Sequence, residues 1–250
     1  MKLFPITHIY FSHGILGKLN TMTALGAIFP DITISGILSY DKTHREGTGL
    51  YNHFKLFHRE YMDFANSMIT HTVNPKGLDY YGDEQYLQGY KGYCFQKGKL
   101  IENETVEICN IPNEYSLWKA HNIIEMAVEL IMHERNKEYS KLLGYSLRDK
   151  DMLQCICRAS EDYYKIDEGA LCKCIERFSS FVELNDLNSL TLAKKYDLQM
   201  KAKHGISIQI DQCSILIDKC CDLVSEDLDS FFEYTFEQVL LMMKGDERVI

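Results

Sequence analysis

Apolar residues recur at three-and-four spacing through most of this chain, the signature of helices that bury one face. The clearest run is Trp118–Glu134, where Ala120, Ile123, Ile124, Ala127, Val128, Ile131 and Met132 keep the repeat without an intervening Gly or Pro. An earlier apolar stretch over residues 6–19 predicts a first helix, with Thr7 as a weak cap. Gly26 and Pro30 then interrupt the pattern, and Asp31 follows Pro30 at a predicted turn. From about Tyr51 the spacing predicts one long helix to about Thr72. Past residue 146, amphipathic stretches lie at roughly 147–160, 167–185, 187–202, 207–223 and 225–244. Residues 85–115 differ, being rich in Tyr and Gly. Alternation around Tyr93–Leu100 predicts a short hairpin turning at Lys97-Gly98. That segment reads equally as a lid walled by Tyr81, Tyr86, Tyr90 and Tyr93 or as a surface excursion. The expected fold is an all-α multi-helix bundle with a small irregular or hairpin insertion. Its core spans residues 1–145, and helices of residues 146–250 pack on it as one continuous domain.

Composition narrows the classes. With 46% hydrophobic residues, the 250-residue chain has ample material for a core. A net charge of −9 argues against a surface that tracks nucleic-acid phosphates. No segment reaches the length of a membrane-spanning apolar run. The apolar start is interrupted by His8 and His13, unlike a secretory signal. Nine cysteines, an odd number, fit reduced thiols in a cytoplasm. Cys155/Cys157 and Cys172/Cys174 form two C-x-C pairs, but positions two apart on a helix diverge by about 200°. Structural zinc sites space their cysteines more widely, so these thiols are expected in the core or at its boundary. No Gly-rich phosphate loop occurs, and no nucleophile stands out for Ser-His-Asp or Cys-His chemistry.

The remaining chemistry lies in His, Asp and Glu. His121 and Glu125 are four apart, so they stack on one face of the central helix beside apolar neighbours. A half-buried carboxylate needs a partner. Either a hydrogen-bonded His–Glu pair or a divalent metal would satisfy it. Asp31 has an apolar frame, Ile28-Phe29 before it and Ile32 after, which sets it over the core, where a carboxylate wants a cation; a helix cap is the plainer alternative. His53, Glu60 and His71 fall within about 20° of one helical stripe, as metal ligands or as a solvated face. His8 and His13 diverge, so one can face inward while the other meets solvent. His44 lies in the polar stretch D-K-T-H-R-E-G-T-G and is expected in solvent.

The order of these blocks resembles the zinc-dependent phospholipase C superfamily, which includes glycosylphosphatidylinositol-specific phospholipase D. Thr7-His8 followed by His13 is similar to the family's opening T-H-x-x-x-x-H. G-A-I-F-P-D-I resembles its G-x-x-x-P-D turn, which makes Asp31 the metal-bridging carboxylate. Asn52-His53-Phe54 is similar to the following S-H-F step, and Thr70-His71 to the S-H that begins H-x-x-x-D. His121 and Glu125 match the closing H-x-x-x-E. The likeness covers short blocks over roughly residues 5–130. Pro75 stands where the family's Asp would follow His71, with Asp79 as substitute from the next turn. The family's N-terminal Trp amine has no counterpart, since the chain begins Met-Lys, so one or two metals fit better than three.

The resemblance implies a zinc phospholipase C type of bundle and a metal site of His8, Asp31, His53, His71, Asp79, His121 and Glu125, with Asp31 and Glu125 catalytic. Imidazoles with carboxylates suit zinc, with iron or manganese as alternatives. Water on such an ion ionises near about pH 7, giving a hydroxide nucleophile. The expected activity is phosphoester hydrolysis, of phospholipase C or phosphodiesterase kind, on a small phosphorylated substrate or a phospholipid headgroup. His13, His58 and His133 are expected at surface or core positions. The opposing reading is a helical binding protein that keeps the fold without the chemistry. A His-Asp phosphohydrolase is disfavoured, because no His is followed directly by Asp.

Overall fold

A computed structural model describes residues 4–32 and 36–245. Among them there is no strand, and the fold is all-α. In chain order the helices are α1 (Pro5–Leu16), α2 (Thr21–Ile32), α3 (Gly47–Phe57), α4 (Met62–His71), α5 (Tyr93–Gly98), α6 (Glu102–Cys109), α7 (Ser116–Arg135), α8 (Glu138–Ser146), α9 (Lys150–Tyr164), α10 (Ala170–Ser179), α11 (Ser189–His204), α12 (Ile210–Ser225) and α13 (Leu228–Gly245). Single wide turns at Asp41–Arg45 and Tyr80–Glu84 link them.

Helix α7 is the axle. It packs against α1, α5, α6, α11 and α12, and buries Ala120, Ile123, Ile124, Met126 and Ala127 completely. Neighbours on several sides hold it, and its buried faces carry polar groups, Lys119, His121, Glu125, Glu129 and His133, as well as apolar ones. The end of α1 is set locally. Gly17 takes φ 61°, and its N–H bonds to the His13 carbonyl, the left-handed stop that glycine allows at little cost. Its start is set from afar, by Glu129 of α7. Thr7 is therefore no self-contained cap: its N–H and its hydroxyl both donate to Glu129, at 2.8 and 2.7 Å. The C-terminal helices match the predicted stretches closely, and α8 is an addition. Asp149 caps α9, and an Asn188/Thr191 capping box opens α11.

Three sequence expectations are corrected. The long helix from Tyr51 to Thr72 is two helices, broken at His58 (φ −141°, ψ 52°). Phe54 and Phe64 explain the break. Ten positions apart on one helix they would stand about 15 Å apart along the axis, yet their ring centroids are 5.1 Å apart in a shared core. Second, neither Gly26 nor Pro30 breaks α2. Pro30 lies in its last turn, where a missing N–H forfeits one helical bond. Gly26 is an approach point: a Cβ there would stand 2.3 Å from the Phe64 carbonyl oxygen of α4. We expect Gly26→Ala to destabilise the fold by about 1–3 kcal/mol, as overpacking does, with urea midpoints as the measure.

Third, the expected hairpin is α5 and α6. Tyr93, Cys94, Gly98 and Ile101 are all buried, a one-four-three spacing that is helical rather than alternating. Gly98 lies against the α7 backbone, where a Cβ would come 3.0 Å from the His121 nitrogen. Tyr81, Tyr86 and Tyr93 are core residues, the last stacked on Phe231 at 4.3 Å, while Tyr90 is exposed. The C-x-C pairs split as the helical angle requires: Cys157 and Cys174 are buried, whereas Cys155 is exposed.

Candidate metal centre

Five side chains from five places in the chain converge below the surface. His8 comes from α1, Asp31 from α2, His44 from the turn before α3, His71 from the end of α4, and Asp79 from the segment that follows it. All are at most 4% exposed. Close packing of α2 on α4, permitted by Gly26, places Asp31 and His71 together. Asp79 is the hub. Its carboxylate lies 3.6 Å from His8 Nε2, 3.5 Å from His44 Nε2 and 3.4 Å from His71 Nε2. Asp31 lies 3.4 Å from His44 Nε2 and 3.9 Å from His71 Nε2. The His8 and His71 rings stack with centroids 3.6 Å apart and planes within 9°.

These spacings are informative because they are too long for good hydrogen bonds. Donor atoms held about 2.0–2.1 Å from one tetrahedral ion are about 3.3 Å from each other, near the observed separations. Asp31 Oδ1, His44 Nε2 and His71 Nε2 are buried without a well-formed hydrogen bond. The His71 tautomer sharpens this. Its Nδ1 faces the Ala27 carbonyl at 2.6 Å, a pure acceptor, so Nδ1 carries the proton. In the neutral ring, Nε2 then presents a lone pair to two carboxylates. Only a cation between them, a proton or a metal, makes that stable.

Protonation meets the demand only in part. Burial opposes a charged His71, but Asp79 and Asp31 outweigh it and raise its pKa. At His44 burial prevails, and the pKa falls despite Asp31 and Asp79. Burial would also raise the Asp31 carboxyl, but His44 and His71 hold it below the usual range. Two carboxylates with neutral imidazoles carry a charge that one divalent cation cancels. The residues fit such an ion.

A second group lies on α7 and the Tyr80–Glu84 turn: Asp83, His121 and Glu125 offer ligand atoms within 4.8 Å of one another. His121 Nε2 is 3.6 Å from Glu125 Oε2, and its ring lies on Phe95 at 4.2 Å. A small cavity of about 30 Å³ takes lining from both groups, His8 and Asp79 from the first and Glu125 from the second. Asp83 and His121 also line a larger cavity of about 390 Å³ that opens at Trp118, which is 47% exposed. Asp31 lines neither of these two cavities.

His8, Asp31, His71 and Asp79 thus meet in one group, and His121 with Glu125 in another. His53 joins neither. It sits 12% exposed beside Asp162, at 3.9 Å, among Phe57, His58 and Tyr163, because the break at His58 ends the stripe it shared with His71. The expectation that His44 is solvated is overturned: it is fully buried, its Nδ1 sharing a 2.7 Å hydrogen bond with Thr43 and its ring stacked on Tyr40. His13 shares a hydrogen bond with Tyr139, and His133 one with Ser140. Metal content should separate the two histidines. His44→Ala is expected to weaken metal binding by at least about tenfold, the loss typical even of a ligand's outer partner, while His53→Ala leaves it unchanged.

Reasoning from sequence passed over Asp83 and Glu129. Asp79 and Asp83 repeat the four-residue spacing of His121 and Glu125, and Glu129 extends that stripe by one turn. Glu129 is fully buried and accepts from the Ile6 and Thr7 N–H groups and the Thr7 hydroxyl. Burial pushes its carboxyl up to about 8, against the pull of those three donors. Through Thr7 it fixes the position of His8. No family model matches this chain, and neither does any curated protein or solved structure.

Proposed function

We propose that this chain is a metal-dependent hydrolase of phosphoester bonds. The observation that carries the reading is the pairing of a sealed His/Asp centre with a second His/Asp/Glu group that opens onto a substrate-sized cavity. The order of the sequence blocks, similar to that of the zinc-dependent phospholipases C, supports it independently. His8, Asp31, His44, His71 and Asp79 would hold one divalent ion, and Asp83, His121 and Glu125 another. Imidazole and carboxylate ligands favour zinc, with iron or manganese as alternatives. Such ions supply Lewis acidity towards water and a phosphoryl oxygen at neutral pH.

The chain's own contribution is positional. Phe95 holds the His121 ring from one side, and Glu125 holds it from one helical turn away. Asp83 presents its carboxylate from a separate element, so substrate enters between α7 and the Tyr80–Glu84 turn. The sealed centre ties α1, α2 and α4 to that turn through Asp79.

Metal analysis by mass spectrometry on tag-free protein, together with hydrolysis of bis(p-nitrophenyl) phosphate, tests the proposal. Wild type is expected to carry at least one divalent ion per chain. Asp83→Asn is expected to lose hydrolysis by on the order of 100-fold or more, while the sealed centre keeps its ion. A folded, metal-free wild type without activity would leave a helical binding protein in place of the enzyme.

A further inference from the structure

The larger cavity has a second end, and its chemistry is opposite in sign. Lys91, Lys119, Lys203 and His204 line the same space as Asp83 and His121. In a chain of net charge −9, that clustering needs a reason. Several lysines elsewhere pair with acids. Lys97 pairs with Asp227 at 2.9 Å, Lys201 with Asp197 at 2.6 Å, and Lys219 with Glu104 at 2.5 Å.

Lys119 does otherwise. It is only 5% exposed, yet among the described residues no carboxylate stands within ion-pair distance of it. Its ammonium contacts His204 Nε2 at 3.0 Å and lies over the Trp118 ring at 4.1 Å. Lys203 is the chain neighbour of His204 and lines the same cavity. Three basic groups thus stand together at this end. The cavity's other acid, Glu84, is engaged by Arg45. A buried cation without an acid is expensive, and an anion entering the cavity removes that cost.

We propose that Lys119, Lys203 and His204 form a phosphate-holding subsite, so that the ligand of this cavity carries a phosphate group at the lysine end while its other end reaches Asp83 and His121. The assignment deepens the hydrolase reading by giving the substrate class: a phosphorylated molecule with an anionic group beyond the scissile bond. The subsite itself needs no metal. Arrival of a phosphate turns two repelling ammoniums into charge-assisted donors, among the stronger hydrogen bonds available. Trp118, at the rim, leaves one ring face for an apolar or planar portion of the ligand.

The test is calorimetric titration of the full chain with inorganic pyrophosphate after removal of metals with EDTA. Wild type should bind, more weakly as salt rises. Lys119→Met and Lys203→Met, which keep most of the side-chain length, should each weaken binding at least about tenfold. Metal content in both variants should equal wild type, since neither lysine is a ligand. Lysine-dependent binding by a wild type that never carries metal would sustain the subsite while the hydrolase reading fell. Metal-loaded, active protein with no lysine-dependent binding would do the reverse. Flotation with phosphatidylcholine vesicles, with and without phosphatidic acid, distinguishes the sources of the phosphate. Lysine-dependent flotation assigns it to a lipid headgroup, and pyrophosphate binding without flotation assigns it to a soluble ester. Equal pyrophosphate affinities for wild type and both folded variants would overturn the proposal.

Discussion

Asp79→Asn should strip the sealed centre of metal and lower the melting temperature of the metal-loaded protein by on the order of 10 °C. Asn keeps the volume but removes the charge that faces His8, His44 and His71. A ligand that binds only the native state at 100 to 1,000 times its dissociation constant contributes about 2.7–4.1 kcal/mol. For a chain of this size each kcal/mol is worth roughly 2–4 °C, and the product gives the expected shift. Scanning calorimetry with and without EDTA isolates it. In EDTA the gap between wild type and variant should close or reverse, because protonation of His71 only partly compensates two buried carboxylates that then have no ion to separate them. Identical metal content in the two proteins would show that Asp79 is no ligand.

Glu129→Ala should be the most destabilising single change that leaves every candidate ligand in place. It abandons two backbone N–H groups at the start of α1 and the Thr7 hydroxyl. Leaving a buried donor unmet costs about 1–3 kcal/mol each, so a loss of about 3–5 kcal/mol is expected in urea denaturation. Glu129→Gln keeps the acceptor oxygen but turns an amide N–H towards the Thr7 donors, and should fall between. Metal affinity should decline alongside, because His8 follows Thr7 directly and its ring is stacked on His71. An alanine variant as stable as wild type would mean that the start of α1 is held by packing alone.

The helical class was legible because the period is strong wherever a helix buries one face. In α7 it was legible down to the facing pair His121 and Glu125. Where the period misled, a tertiary contact decided. Nothing local announces the break at His58: residues 51–72 hold a helical spacing throughout, and only the meeting of Phe54 with Phe64 forces a turn. Tyr93–Leu100 misled for the opposite reason, since Gly98 looks like a hairpin tip until the α7 backbone is laid against it. His44 was hidden because it sits on an isolated turn with no periodicity to read, amid residues that resemble a solvated loop. Asp31 was the converse case. Its apolar frame correctly foretold a carboxylate over the core, although the helix runs on through it instead of starting there.

Sealing has a kinetic consequence. A chelator can reach an ion held by Asp83, His121 and Glu125 through the open cavity. No such path leads to His44 or His71, both almost wholly enclosed. An ion there leaves slowly, through the narrow cavity at His8 and Asp79 or by a local opening of the bundle, so its residence time reflects the fold as well as the coordination bonds. Two ions with similar ligands would then leave the same protein on separate clocks, one fast and one slow.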